Sequence, residues 1–330
     1  MNVVSFFSGC GGLDLGFEHA GFNVIWANDN ASSVRETYTL NFPRTQFCNK
    51  SITDVSIDDI PKNIIGIIGG PPCQSWSNAG KGLGLKDPRG QLFLNFIEIL
   101  KSCKPFFFVA ENVKGIKSAR NADAYQQIYT SLNNCGYNVY ETCVNAADYG
   151  VPQSRERVFF IGFRTDLNIR FCFPEKLSSP QRTVRDAIDD LKESVVPMGQ
   201  MPIINAHEYW TGGYSYIFMS RNRVLNWDLP SFTIQASGRQ TAIHPQAPFM
   251  EHVSTDVFRF KPGCEDDYRR LSARECARLQ TFPDSFIFKY NNLNDAYKMI
   301  GNAVPVKLAF HIAQSIREAL ENANLVDDNI

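Results

Sequence analysis

Residues 64–74 read Ile-Ile-Gly-Ile-Ile-Gly-Gly-Pro-Pro-Cys-Gln. The apolar run Ile64–Ile68 has strand character, and the Gly-Gly-Pro-Pro after it cannot continue a strand. Cys73 is therefore placed where the chain leaves a sheet. A second apolar run, Phe106–Ala110, ends in Glu111-Asn112-Val113. Each reads as a strand running into a chemically loaded turn, one offering a thiol and the other a carboxylate. Outward from these two, the β-rich runs Val3–Phe7, Val24–Ala27, Tyr137–Val144 and Val158–Phe163 alternate with stretches of helical composition at Ala31–Asn41, Gln91–Lys101 and Ala122–Asn134. The alternation predicts an α/β fold with a mostly parallel sheet covered by helices on both faces. Ligands of such sheets bind beyond the carboxyl ends of the strands. A thiol and an acid meeting there suit covalent catalysis on an electron-poor ring.

The first strand runs into Ser8-Gly9-Cys10-Gly11-Gly12 and then into a helix. Glycines let the backbone approach a ligand closely, and the helix N-terminus faces it. A tight βα turn without a ligand carries the same signature. The next strand ends in Trp26-Ala27-Asn28-Asp29, which places an acid to hydrogen-bond ribose hydroxyls. Turn and acid together favour a nucleoside-type cofactor. Cys73 needs electrostatic help, because a free thiol of pKa about 8.5 is only a few per cent thiolate at neutral pH. Gln153-Ser154-Arg155-Glu156-Arg157, just ahead of the strand Val158–Phe163, offers two arginines on one side of a strand. A solvated strand face is the plainer use for them.

A chain of 330 residues can bury a large core and form two lobes. Its 44% hydrophobic and 20% charged content is that of a globular protein rather than a disordered or fibrous one. No apolar stretch approaches the roughly 18 residues of a membrane span. The start, MNVVSFFSGCGG, lacks a basic n-region and a cleavage site, so a cytoplasmic address is expected. Nine cysteines at irregular spacing, with no Cys-x-x-Cys pair, support neither a disulfide framework nor a metal site. A net charge of −1 does not advertise nucleic-acid binding, yet a local basic face would suffice for it. The stretch 174–270, rich in Pro, Gly, Asn, Ser and aromatics, predicts a separate irregular lobe. Helical patterns return at Ser272–Thr281, where Ser272 caps and Glu275 follows three residues on, and at Val306–Leu320, which is expected to pack back on the first lobe.

These blocks, with others in family order, resemble the DNA cytosine carbon-5 methyltransferases of bacterial restriction–modification systems over nearly the whole chain. They are FSGCGG (7–12), the acid Asp29, GGPPCQSWS (69–77), ENVKG (111–115), QSRERVFFIGF (153–163), RRLSARECARLQTFPDSF (269–286) and GNAVP (301–305). The block SRNRVLNWDLPSFTIQASGRQTAIHPQAP (220–248) further resembles enzymes that methylate the inner cytosine of GGCC. The resemblance implies a Rossmann-like, S-adenosyl-L-methionine-dependent domain at 1–175 and 288–330, and a smaller target-recognition domain and hinge at 176–287. It implies attack of Cys73 on carbon 6 of a flipped-out cytosine, with Glu111 on ring nitrogen 3. Arg155 would steady the cytosine carbonyl and Glu111, with Arg157 nearby. The acceptor of the carbon-5 proton is not visible in the sequence.

By the same resemblance the cofactor pocket uses Phe7, Gly9, Cys10, Gly12, Asp29, Pro72, Leu92, Asn302 and Val304. The chain departs from the family pattern at Asn30, where an aromatic often stacks on adenine, and at Asn49-Lys50-Ser51, where an acid usually follows a glycine. Asp29 is itself an Asp where Glu is more usual. The adenosine end would then be held more weakly, or by other groups such as Ile52 or Asp54; a raised cofactor dissociation constant is expected, cured in part by Ser51→Asp. The glycine-rich, basic segment Asn78–Gln91 reads as a lid closing over DNA, with Ser77 and Arg89 near phosphate or the vacated stack. Arg221, Asn222, Arg223, Arg239 and Gln240 are candidate readers of a G-rich site, since Arg pairs with guanine in the major groove. Phosphate contact is the plainer use of such arginines. Thr233-Ile234, followed by Gln235, match the pair that many members place near the flipped base, and His244 reads as structural. Double-stranded DNA is the expected partner, the protein is expected to be a monomer, and a restriction endonuclease is expected as its genetic companion. The rivals are a tRNA cytosine methyltransferase, whose usual Cys-Phe-Thr is absent, and a non-catalytic DNA-binding regulator. A dinucleotide oxidoreductase would have no use for the Pro-Pro-Cys turn.

Overall fold

The computed structural model describes residues 1–72 and 88–326, without the side chains of residues 88–90 and 120. Cys73 and Ser77 lie outside the described residues, as does the side chain of Arg89.

The first half of the chain builds one seven-stranded sheet. In chain order its elements are β1 (Asn2–Phe6), α1 (Gly12–His19), β2 (Asn23–Asn28), α2 (Ser32–Asn41), β3 (Gln46–Cys48), β4 (Gly66–Gly69), α3 (Pro88–Cys103), β5 (Phe107–Val113), α4 (Ala122–Asn133), β6 (Tyr137–Asn145) and β7 (Glu156–Arg164). The spatial order is β3-β2-β1-β4-β5-β7-β6. The pairs from β3 to β5 are parallel, and β7 runs antiparallel between β5 and β6. The chain leaves β1 toward β2 and β3, then returns to place β4 on the other side of β1. That reversal opens a crevice at the carboxyl ends of β1 and β4. β4 is buried throughout, as expected for a strand covered on both faces. A Cβ at Gly66 would lie 2.3 Å from the Phe107 ring, so this strand is thinned by glycine to let its neighbour pack.

The remaining chain is irregular from the end of β7 to about residue 270. It holds α5 (Arg185–Ile188), the short parallel pair β8 (Val196–Pro197) and β9 (Glu208–Tyr209), and the hairpin β10 (Glu251–Ser254) and β11 (Val257–Arg259). A small core of Phe218, Val224, Ile243, Ala247, Met250 and Tyr268 organises it. Three helices follow: α6 (Ala273–Leu279), α7 (Leu293–Asn302) and α8 (Val306–Asn322). Ser272 caps α6 in a reciprocal box with Glu275. One buried cluster joins Cys10, Ala27 and Tyr38 to Leu225, Leu271, Cys276 and Ile300, so the second half shares its core with α2 and the β1–α1 turn. α8 packs against α1, where a Cβ at Gly16 would come within 2.4 Å of the Ala309 Cβ.

Several elements differ from the sequence expectation. β5 runs on through Glu111 to Val113, so the acid sits on a strand and not in a turn. β3 and α7 were not expected. β3 is three residues long and carries no apolar run. α7 contains Gly301 and Asn302, which read as loop residues but form its last turn.

Candidate active site

The carboxyl ends of the central strands converge on a cavity of about 420 Å³. Its wall takes Phe7, Gly9 and Gly12 from the β1–α1 turn, and Asp29 and Asn30 from the end of β2. Pro72 after β4, Glu111 of β5, and Asn302 and Val304 at the α7–α8 junction complete it. Phe7 holds a left-handed backbone, φ 54°, which is uncommon for a bulky residue and clusters at functional sites. Gly12 must be glycine, because a Cβ there would lie 2.4 Å from the Val304 carbonyl oxygen. The N-cap of α1 is Gly11, with no side-chain cap, so the first amides of that helix have no side-chain acceptor there. Asp29 accepts from the amides of Gly9 (2.9 Å) and Ala31 (2.8 Å), tying the two loops together. Burial pushes its carboxyl up, opposed by those two amides and by Lys298. Lys298 and Ser33 line the same cavity and were missed, since a lone lysine or serine on a helix reads as solvated.

Four expected pocket residues are not in that wall. Cys10 is buried, with its thiol on the Met299 carbonyl oxygen at 3.4 Å, because the turn curls it into the core. Ile52 packs in the core under β1 and β4 with Phe93 and Phe96. Ser51 caps the turn 52–54, its hydroxyl accepting from Thr53. Leu92 packs against the same core as Ile52.

Glu111 faces Arg157, whose Nε lies 2.8 Å from Oε1. The contact is a close ion pair. Burial pushes the Glu111 carboxyl up, against the pull of Arg157 and then Arg155. Gly70 passes directly over this acid: a Cβ there would sit 3.3 Å from Oε2. Asn112 Nδ2 donates to the Pro71 carbonyl at 3.0 Å and fixes the turn that leads to Cys73. The expectation that Arg155 holds Glu111 is corrected. Arg155 is fully buried and donates to the carbonyls of Gly301 (2.8 Å), Ala303 (2.9 Å) and Ile234 (3.3 Å). Its fork is spent on backbone, and Arg157 takes the place beside the acid.

Residues 1–318 match the family model of C-5 cytosine-specific DNA methylases. The chain belongs to that family. It is 51% identical to the Type II methyltransferase M.FnuDI of Fusobacterium nucleatum, over 100% of this chain and 98% of that protein. It is 51% identical to M.NgoPII of Neisseria gonorrhoeae, over 97% and 96%. Among solved structures, a prophage-encoded DNA modification methyltransferase of E. coli superposes with TM-score 0.75 at 25% identity, covering 97% of this chain and 99% of that one. Spodoptera frugiperda DNMT2, at 19% identity and TM-score 0.70 over 96% and 99%, shares the fold.

This DNA (cytosine-5-)-methyltransferase uses S-adenosyl-L-methionine, and its cavity fits that cofactor. An acid at the end of β2 suits a ribose diol, the open α1 N-terminus suits a carboxylate, and Phe7, Pro72 and Val304 offer apolar walls. A larger cleft of about 530 Å³ beside α6 and α8 lacks such a set, and its Arg278 is already paired with Asp284 and Asp190. Among the described residues no helix is long and apolar enough to cross a membrane, and no cluster could hold a metal ion.

The residues expected from the sequence to meet DNA divide sharply. Arg221, Arg239 and Gln235 are exposed, and Gln240 and Thr233 are half-buried. Asn222 is used locally: it donates to the Val224 carbonyl and accepts from the amides of Val224 and Met250. Arg223 is buried and donates to the carbonyls of Phe218 and Ile217, both at 2.7 Å. Ile234 is buried in the shared core, its amide held by Gln153. The side chains of Asn222 and Arg223 are taken up by local backbone, and Ile234 by the core. His244 is buried and accepts from the Gln246 amide, a structural role.

Proposed function

We propose that this methyltransferase modifies carbon 5 of the inner cytosine of GGCC in duplex DNA through a covalent adduct at Cys73, as the protective half of a restriction–modification pair. The observation that carries the reading is Glu111, which lines the cavity, pairs with Arg157 and lies beneath Gly70 of the turn that leads to Cys73. The block at 220–248 supports GGCC as the site, with Arg221 and Arg239 as its exposed arginines.

The target base must leave the duplex, because a stacked cytosine cannot meet a thiol and a methyl donor on its two faces; unstacking costs a few kcal/mol. Cys73, as thiolate, bonds to carbon 6. Electron density moves through the ring toward nitrogen 3, where Glu111 donates its proton. Arg157 beside Glu111 orients that carboxyl and faces the developing charge. Bound S-adenosyl-L-methionine supplies an electrophilic methyl group to the now nucleophilic carbon 5. Loss of the carbon-5 proton to water or hydroxide, with return of the nitrogen-3 proton to Glu111, then expels the Cys73 thiolate and restores the ring. Asp29, the α1 amides and the α7–α8 junction hold the cofactor throughout. Ser77 and Arg89 are assigned to the DNA backbone on the sequence pattern alone.

A duplex with 5-fluorocytosine at the inner position tests the mechanism, because fluorine cannot leave as a cation and the adduct is trapped. A denaturation-resistant complex is expected for the native chain and none for Cys73→Ser. Bisulfite sequencing of DNA from a host expressing the chain tests the site. Methylation absent from GGCC, or label passing to tRNA and not to duplex DNA, overturns the reading.

A further inference from the structure

Asp14, on the first turn of α1, is sealed from solvent and lies in the wall of the cofactor cavity. Its oxygens accept from Ser5 Oγ of β1 at 2.7 Å and from the Tyr38 hydroxyl of α2 at 2.5 Å. Both donors are neutral. The ionisable groups that face it are Glu18 on its own helix, Asp29 at the end of β2, Cys10 in the turn and Tyr38. Among the described residues none of these is a cation; Lys298, in the same cavity wall, faces Asp29, and Arg44 faces Glu18. A buried carboxylate with no cation is costly, and an asparagine could keep a hydrogen bond to each hydroxyl at lower cost. Packing alone does not call for an acid here. A ligand that brings positive charge into the cavity does.

We propose that Asp14 senses the charge of the cofactor, ionised when the cavity holds S-adenosyl-L-methionine and protonated when it holds the demethylated product. The two ligands share adenosine, carboxylate and amine. They differ by one positive charge, because methyl transfer converts a sulfonium into a neutral thioether. The ionised acid favours the donor over the product, and the neutral acid removes that preference, which helps exchange after each turnover. Burial pushes the Asp14 carboxyl up to about 7, against the Tyr38 and Ser5 hydrogen bonds, so the proton can move near neutrality. The donor binds the ionised form more tightly. Below pH 7 its binding therefore expels a proton, and its affinity rises with pH by up to about tenfold per unit. Above pH 7 the acid is already ionised and the rise stops. The α-amino group of either ligand also titrates near pH 8, so the difference between the two ligands is what reports Asp14.

The inference rests on the cofactor occupying this cavity. Isothermal calorimetry of the whole protein, in buffers of different ionisation enthalpy, counts protons for S-adenosyl-L-methionine and S-adenosylhomocysteine. At pH 6 the donor should release up to about one proton more than the product, and at pH 8 the difference should vanish. Asp14→Asn should flatten the donor-to-product affinity ratio across this range. Tyr38→Phe, which removes a donor to the anion, should move the rise to higher pH. Equal proton counts for the two ligands at pH 6 in the native chain overturn the inference, whether or not either variant folds. Undiminished binding of both ligands by Asp29→Ala would place the cofactor elsewhere and overturn it together with the pocket assignment.

Discussion

Replacing Arg155 by alanine separates the two arginines of the QSRER block. The Arg155 guanidinium is fully buried and donates to the carbonyls of Gly301, Ala303 and Ile234. Hydrogen bonds from a charged donor contribute about 1.5–3 kcal/mol each, but bonds from one fork do not add. Losing the burial cost of the guanidinium, whose Nε has no partner among the described residues, returns part of the sum. A net loss of about 3–5 kcal/mol is expected, the range for breaking a buried polar network. Unfolding entropy is about 2.1 cal/mol/K per residue, which over 330 residues gives roughly 0.7 kcal/mol/K. The melting temperature should therefore fall by roughly 4–7 °C. Cofactor affinity should fall with it, since Asn302 and Val304 line the cavity beside the carbonyls that Arg155 holds. Arg157→Ala should melt close to the native chain and lose methyl transfer by about 10²–10³-fold. Calorimetric melting and label transfer, run on both variants, decide the matter. If Arg155→Ala melts normally and loses transfer as severely as Arg157→Ala, then Arg155 acts on the substrate and the structural assignment is wrong.

Gly12→Ala forces a Cβ to within 2.4 Å of the Val304 carbonyl oxygen, so cofactor binding should weaken at least about tenfold by calorimetry. Burial raises the Glu111 carboxyl against Arg157 and Arg155, and the protonated form is the competent acid. The methyl-transfer rate should therefore lose its Glu111 contribution as pH rises through that raised value, and Glu111→Gln should leave a remnant about 10²–10⁴-fold slower that no longer shows this fall. Ser51→Asp, predicted from the family pattern to tighten cofactor binding, should change it by less than about twofold, because Ser51 caps the 52–54 turn outside the cavity wall.

The sheet was legible because its strands are short apolar runs punctuated by Gly and Pro, and period and punctuation survive in a single sequence. The glycine turn, Asp29, Glu111 and the α6 cap were legible for the same reason, each having a local cause. What the sequence hid is non-local. Arg155 and Arg157 stand two apart and look equivalent, but one reaches the α7–α8 junction while the other stays against β5. Arg223 and Asn222 carry the side chains of base readers, yet the loop they belong to uses them up. Asp14 was invisible because an acid in the first turn of a helix ordinarily answers the helix dipole, and only the fold brings Ser5 and Tyr38 over it.

The two ends of the chain make the cofactor site together. Gly12 touches the Val304 carbonyl, α1 lies on α8 through Gly16 and Ala309, and Gly301 packs against the backbone of Gln235 and Ala236. Gln153 bonds Gln280, which bonds the Ile300 carbonyl, and Arg155 closes the same seam. The QSRER and GNAVP blocks thus form one latch, and the part of the cavity wall made by Lys298, Met299, Asn302, Ala303 and Val304 is absent until that latch engages. Cofactor binding must then stabilise the docked C-terminal segment by the same free energy with which docking strengthens binding. Hydrogen exchange should accordingly slow at Ile300, Ala303 and Val306 on addition of S-adenosyl-L-methionine. Arg155→Ala should speed exchange at those amides without added cofactor. Unchanged exchange at all three in both experiments would mean that the latch and the cavity are independent.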